Sequence, residues 1–127
     1  MRLSKTEESQ IQDLIRDIEA KSTSKVVVHI DEFCKGDAYF KAVKIFQESG
    51  LLKHPEQNSV LIYIATKDRK LSVVHDKAIE DVDRGVTLVQ HQNELGTNLT
   101  KVDLFEALSS FLESLNNYLI VHFPVKS

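Results

Sequence analysis

Apolar positions along the chain recur with two different periods, and each change of period marks the start of a new element. The first stripe recurs at steps of three and four residues, which predicts an amphipathic helix: Ile11, Leu14, Ile15 and Ile18. Ser4 and Glu7 stand before it at the spacing of a capping box, in which each residue satisfies a free N–H group of the other. The sequence therefore predicts that the first helix begins at Ser4.

Three short runs rich in β-branched residues predict strands. Val26–Ile30 is almost wholly apolar, as in a strand buried on both faces, and Ser59–Thr66 is the longest such run. The polar turn Lys67–Lys70 separates that run from Leu71–His75. The last two runs therefore predict a β-hairpin.

Three further helices are predicted. One covers Asp37–Ser49 and is followed by Gly50, where a left-handed cap is expected, and its inward residues are Ala38, Ala42, Ile45 and Phe46. A second lies between Asp81 and Leu95 and ends at Gly96, with an inward stripe of Val82, Val86 and Val89. The last begins at a second capping-box spacing, Thr100 and Asp103, and its stripe is Leu104, Leu108, Phe111, Leu115 and Tyr118. We expect its flanking apolar residues to be buried as well: Leu112, Leu119, Ile120, Val121 and Phe123.

The order of elements is helix, strand, helix, strand, strand, helix, helix. A strand–helix–strand unit makes its two strands parallel through a right-handed crossover, and the hairpin adds an antiparallel neighbour. The sequence therefore predicts an α/β fold, a small mixed β-sheet sandwiched between helices, formed as one domain over residues 1–127.

This topology brings three segments to one end of the sheet. We call it the converging end and define it by Ser24–Lys25, Gln57–Ser59 and His75–Asp76. The opposite end collects Asp31–Glu32 and the Asp68–Arg69 turn. Polar groups held at strand ends are common in binding sites, so a functional site is expected at one of these ends.

Composition excludes several classes. The net charge of −3 and an aromatic content of 7% do not favour binding to duplex or single-stranded nucleic acid. No apolar run reaches the roughly 20 residues of a membrane span, and the polar N-terminus does not resemble a signal peptide. The single cysteine, Cys34, allows a reducing compartment, and no arginine stands about six residues after it, as a cysteine phosphatase would require. We therefore expect a cytoplasmic protein.

Several stretches resemble, in order, those of the TPM domain family, which is named for thylakoid-lumen, photosystem II repair and acetylcholine-receptor accessory proteins. They are Glu19, Ser22–Lys25, Cys34–Asp37, Gln57–Ile62, Asp68–Lys70, His75–Ile79 and Phe123–Pro124. The chain is most similar to the short, soluble bacterial members. The resemblance implies an α/β sandwich whose converging end binds divalent cations in the family, and some members are described as acid phosphatases.

This sequence departs from the family pattern at the converging end. Ser24, Ser59 and His75 stand where the pattern has glycine, and Lys25 stands where it has an acidic residue. Glycine permits close approach of a ligand to the backbone, and calcium sites use carboxylate oxygens. The departures therefore predict a weakened or lost cation site, with Asp76 as the remaining candidate metal ligand.

Two interpretations of Asp76 stay open. It could be a cation ligand or general acid–base group, or it could cap a turn or helix or pair with Lys25. We favour the structural role. Likewise, the acidic run Glu80–Asp83 is expected to decorate a helix start and not to form a phosphatase aspartate pair.

The sequence thus favours a non-enzymatic TPM-like module that recognises a protein partner, acts as a monomer and needs no cofactor beyond a weak Ca²⁺ or Mg²⁺. The predicted binding face is Lys25, Gln57, Asn58, Ser59, His75 and Asp76. The alternatives are a divalent-cation-binding domain or a metal-dependent hydrolase similar to acid phosphatases.

Overall fold

A three-stranded sheet forms the centre of the computed structural model, which describes residues 2–126. The strands are β1 (Val26–Asp31), β2 (Val60–Ala65) and β3 (Lys70–His75), in the order β1-β2-β3. β1 and β2 are parallel, and β2 and β3 are antiparallel. The mixed sheet and its hairpin are therefore as predicted.

Five helices and one 3₁₀ turn surround the sheet. They are α1 (Lys5–Lys21), α2 (Ala38–Glu48), the 3₁₀ turn Leu51–Lys53, α3 (Lys77–Asp83), α4 (Val86–Asn98) and α5 (Leu104–His122). The predicted α/β architecture with helices on both faces is confirmed. Within residues 2–126 we find no helix with the length and apolar character that a membrane span requires.

The central strand β2 is buried along its whole length because both of its faces are covered. Val60, Ile62 and Ile64 point into a core formed with α1, α3, α4 and α5. Leu61 and Tyr63 point into a smaller core under α2. Since neighbouring residues of a strand face opposite sides, this one strand links the two cores and fixes the register of the sheet.

The predicted start of α1 and end of α2 are confirmed. The Ser4 hydroxyl accepts from the Glu7 N–H at 3.1 Å, and the Glu7 carboxylate accepts from the Ser4 N–H at 3.0 Å. Gly50 adopts a left-handed φ of 78° just after α2, as expected for a helix C-terminus.

The prediction for the third helix is wrong. Two helices, α3 and α4, occupy the region, and both Arg84 (φ 59°) and Gly85 (φ 75°) are left-handed at the break between them. Gly96 lies inside α4 and does not end it. The predicted inward stripe is exposed, because the turn rotates the helices so that other residues face the core: Ile79, Leu88 and Leu95 are buried, whereas Val82, Val86 and Val89 are not.

Three smaller expectations also fail. The sequence predicted Thr100 as the N-cap of the last helix and Asp103 as the third residue after it. Instead, Asp103 is itself the N-cap of α5, and its carboxylate accepts from the Glu106 N–H at 2.8 Å. β1 is only half-buried beyond Val26, because it is an edge strand. The predicted stripe of α5 is buried together with Leu112 and Leu119, but Val121 is 72% exposed on its outer face.

Candidate functional site

Backbone hydrogen bonds bring the three segments of the converging end together. The Lys25 carbonyl accepts from the first N–H of β2 at 2.8 Å, and the Ser59 carbonyl accepts from the Asp76 N–H at 3.1 Å. The Gln57 carbonyl accepts from the Ala78 N–H at 2.8 Å. The predicted convergence is therefore confirmed, and the backbone of this end is held by the sheet and by the start of α3.

Two residues of the predicted binding face are inside the protein. The Asn58 amide donates to the Thr23 hydroxyl at 2.8 Å, and the Ser59 hydroxyl donates to the Leu51 carbonyl at 3.2 Å. Both side chains are fully buried. Asn58 and Ser59 therefore connect neighbouring loops to the start of β2. The prediction that their side chains contact a partner directly is wrong, because neither side chain reaches solvent.

Lys25 and Gln57 are exposed at this end, and His75 and Asp76 are half-buried beside them. Gln57 has a φ of 54°, a left-handed backbone that presents its side chain outward from the turn before β2. Asp76 is the N-cap of α3, and its carboxylate accepts from the Lys77 N–H at 2.7 Å. Of the two interpretations of Asp76, the capping role matches this geometry.

His75 is packed closely against two neighbours. Its Nε2 atom lies 2.8 Å from Glu80 Oε2, and its ring lies against Gly85. A Cβ atom added to Gly85 would stand 2.6 Å from the ring carbon Cε1. The His75 ring therefore fills the space beside Gly85.

Asp83 organises the turn between α3 and α4, a role that the sequence analysis did not assign to it. Its carboxylate accepts from the Gly85 N–H at 3.0 Å and from the N–H and hydroxyl groups of Thr87. These bonds, the Thr87 hydroxyl first among them, lower the pKa of Asp83. The Tyr118 hydroxyl lies 3.5 Å from the same carboxylate, and burial together with that negative charge raises the pKa of Tyr118 to about 12.

The oxygen atoms at the converging end do not fit a calcium site. The carboxylates nearby have structural partners: Glu19 accepts from the Val26 N–H at 3.0 Å, Asp76 caps α3 and Glu80 contacts His75. Across residues 2–126, no three His, Cys, Asp or Glu side chains are grouped so that they could hold a metal ion. Calcium takes six to eight oxygens, usually with more than one carboxylate.

Two neutral oxygens at this end are buried without a protein partner in the described chain: Ser24 Oγ and Asn58 Oδ1. Neutral oxygens buried in this way are commonly satisfied by an ordered water. They supply no negative charge to a cation, and Lys25, which follows Ser24 in the chain, carries a positive charge.

The opposite end contains a second polar cluster. Asp31 accepts from the Tyr63 hydroxyl at 2.9 Å, and its other oxygen lies 3.0 Å from His29 Nε2. Burial, together with the neighbouring Asp31 and Cys34 groups, raises the pKa of Tyr63. The Asp68 carboxylate accepts from the Cys34 N–H at 2.7 Å and so holds the loop after β1.

Two further groups complete the converging end, and the sequence pattern assigned a contact to neither of them. His54 Nε2 lies 2.7 Å from the Thr23 carbonyl, and Glu19 reaches the start of β1 from the last turn of α1. No local pattern announces either contact, since each joins residues from different elements. The Asp83-x-Gly85 spacing, in contrast, is a turn signal that could have located the break between α3 and α4.

Comparisons with known proteins agree with this architecture. The family model of the TPM domain matches residues 2–118. The NMR structure of the BA42 protein from the psychrophilic bacterium Bizionia argentinensis superposes with a TM-score of 0.90 at 27% identity, covering 100% of this chain and 88% of that one. The N-terminal domain of the cg2496 protein from Corynebacterium glutamicum shares the fold at 18% identity, with a TM-score of 0.73 and coverage of 93% and 74%. No curated protein matches the sequence.

Proposed function

The chain belongs to the TPM domain family, and we propose that it acts as a non-enzymatic, protein-binding member whose divalent-cation site is weakened or lost. The proposed contact surface is the part of the converging end that reaches solvent: the exposed Lys25 and Gln57 together with the half-buried His75 and Asp76. We also propose that the protein is a monomer and that it is located in the cytoplasm.

The observation that carries the proposal is that the carboxylates near the converging end already have partners within the protein. Asp76 and Glu19 bond to backbone N–H groups, and Glu80 contacts His75. Moving any of them to a cation would leave a helix start, the first N–H of a strand or a histidine without its partner. Lys25 also adds a positive charge, which disfavours a cation, at the same end of the sheet.

A protein partner is supported by the fixed backbone that carries the exposed side chains. Lys25 and Gln57 are attached to backbone segments that the sheet hydrogen bonds fix, and the buried Asn58 and Ser59 side chains brace the loops beneath. A surface fixed before binding loses little conformational entropy when a partner binds. Its amide, ammonium, imidazole and carboxylate groups offer both hydrogen-bond donors and acceptors.

The test is capture of partners from the source cell with immobilised protein. We expect the double variant Lys25→Glu/Gln57→Ala to lose the partners that the wild type retains, because it reverses one charge and removes one amide. The matched control is Lys101→Glu/Gln90→Ala, which makes the same changes at two exposed residues away from the converging end.

Equal capture by the wild type and by Lys25→Glu/Gln57→Ala would contradict the proposed contact surface. Loss of capture on substitution of Asp31 and Asp68 instead would place the contact surface at the opposite end. Unchanged circular dichroism of each variant establishes that a loss of capture is not a loss of fold.

A further inference from the structure

The outer edge of β1 exposes unpaired backbone groups. The Lys25 carbonyl accepts from the Val60 N–H at one end of the ladder, and the Asp31 carbonyl accepts from the Thr66 N–H at the other. Because alternate residues of a parallel strand bond to the same neighbour, the odd-numbered residues of β1 bond to β2. The N–H and C=O groups of Val26, Val28 and Ile30 therefore point away from the sheet. The Glu19 carboxylate accepts from the Val26 N–H. No group in residues 2–126 accepts from the N–H of Val28 or of Ile30.

A groove of about 710 Å³ runs beside this edge, and we call it the edge groove. Its apolar lining is Leu3, Ile11, Val28 and Ile30, and Lys5 and Glu32 are among the charged residues at its rim. One wall is the first part of α1 and the other is the second half of β1. The free N–H and C=O groups thus stand next to an apolar surface.

We infer that the edge groove binds an extended peptide segment of a partner protein, which adds to β1 as a fourth strand. The Val28 and Ile30 groups repeat at about 6.5–7 Å, the two-residue spacing of a strand, and another extended backbone offers acceptors and donors at that same spacing. Every second side chain of the bound segment would face Leu3 and Ile11, so those positions would be apolar. The positions between them would be polar because they face solvent.

The opposite edge of the sheet differs from this one. The Val73 N–H of β3 bonds to Gln92 of α4 at 2.8 Å, so α4 covers that edge at its middle. Natural sheets protect exposed edges because unpaired strands recruit other chains. Edge-strand addition at β1 concerns a surface other than the converging end, so it is true or false independently of the proposed function.

The experiment uses ¹⁵N-labelled full-length protein and one probe, an acetylated and amidated peptide of sequence Lys-Val-Thr-Val-Thr-Val-Glu. We expect saturable shifts of the Val28 and Ile30 amides and at least about tenfold slower hydrogen exchange of both in the complex. Leu3→Arg should weaken binding by at least about tenfold, because it places a charge in the apolar lining. Leu52→Arg, a matched change at an exposed leucine outside the edge groove, should leave binding unchanged.

A second probe isolates the backbone contribution. Two methylated versions of the same peptide are compared. One has methyl groups on its valine nitrogens and the other has them on its threonine nitrogens, so each version keeps a different set of N–H groups. Only the version that keeps the N–H groups facing β1 should bind. Equal binding of both methylated peptides would overturn strand addition. Unchanged hydrogen exchange of the Val28 and Ile30 amides at about 1 mM unmethylated peptide would also overturn it. Protection of these amides that rises with protein concentration in the absence of peptide would overturn it as well, because it would indicate that a second copy of the chain binds the edge.

Discussion

His75 and Gly85 constrain each other at the converging end. The left-handed φ of Gly85 favours glycine, and the His75 ring occupies the space where a side chain at position 85 would lie. The backbone conformation and the packing therefore disfavour a side chain at position 85 for separate reasons, and the two contributions can be measured separately.

We predict that Gly85→Ala lowers the free energy of unfolding by about 2–4 kcal/mol, combining left-handed strain with overpacking against His75. In a His75→Gly background the same change should cost only about 1–2 kcal/mol, since the strain alone remains. Urea unfolding of the four proteins of this double-mutant cycle measures both values. An equal cost in the two backgrounds would show that the ring contact has no energetic weight.

We expect the calcium affinity of the converging end to depend on Lys25. We predict that calcium binds the wild type with a Kd of about 1 mM or weaker, the range of the loosest calcium sites, and that Lys25→Glu tightens binding because it replaces a repelling charge by carboxylate oxygens. An NMR titration with calcium measures both. Lys101→Glu changes the net charge equally at a remote exposed residue and should leave the affinity unchanged. Micromolar binding by the wild type that disappears in Asp76→Asn would contradict the prediction.

At the scale of elements, the start of α4 depends on a side chain from outside the helix. Its N-cap residue is Gly85, which has no side chain, and Asp83 supplies the missing acceptor for the Thr87 N–H. Asp83 therefore fixes both the turn and the direction in which α4 leaves it.

We predict that Asp83→Ala lowers the free energy of unfolding at neutral pH by about 1–2 kcal/mol, the usual effect of losing a helix cap. The folded-state pKa of Asp83 is lowered from its ordinary value of 3.8, so its contribution is present above about pH 4 and is lost as the pH falls through the folded pKa. Denaturant unfolding between about pH 2 and 7 should show a difference between wild type and Asp83→Ala that shrinks towards the acid end. Asp81→Ala, at an exposed residue of the same helix, is the control, and an equal loss in that variant would contradict the capping role.

The elements that the sequence predicted well are those whose signal is local. The Ser4–Glu7 box and the five-residue stripe of α5 each lie within one helix, so neighbouring residues determine them. The prediction for the region of α3 and α4 failed because Val82, Val86 and Val89 also have helical spacing. Only the left-handed turn at Arg84–Gly85 decides which side of each helix faces the core.

The candidate site was predictable in position but not in the exposure of its residues. Strand order and direction place the three segments at one end, and these follow from the order of elements. Burial of Asn58 and Ser59 depends on contacts with Thr23 and Leu51, which lie 35 and 8 residues away. Polarity alone predicted exposure, and tertiary hydrogen bonds reversed it.

At the scale of the whole molecule, we predict no phosphatase turnover. Asp76 is engaged as a helix cap. Cys34 is buried, at 4% exposure, and no arginine stands about six residues after it to hold a phosphate. An assay with para-nitrophenyl phosphate from acid to neutral pH, with and without Ca²⁺ or Mg²⁺, should match the buffer rate. Activity that follows the protein through purification and falls at least about tenfold in Asp76→Ala, about 1.4 kcal/mol of barrier, would show that the protein is an enzyme.

The contact between His75 and Gly85 also limits the order in which the two positions can be changed. A substitution of Gly85 made first places a Cβ atom against the His75 ring, whereas the same substitution made after His75→Gly meets the backbone strain alone. A side chain at position 85 is therefore better tolerated after position 75 has been changed than before. A selection for stable double variants at these two positions should accordingly accept the change at position 75 first.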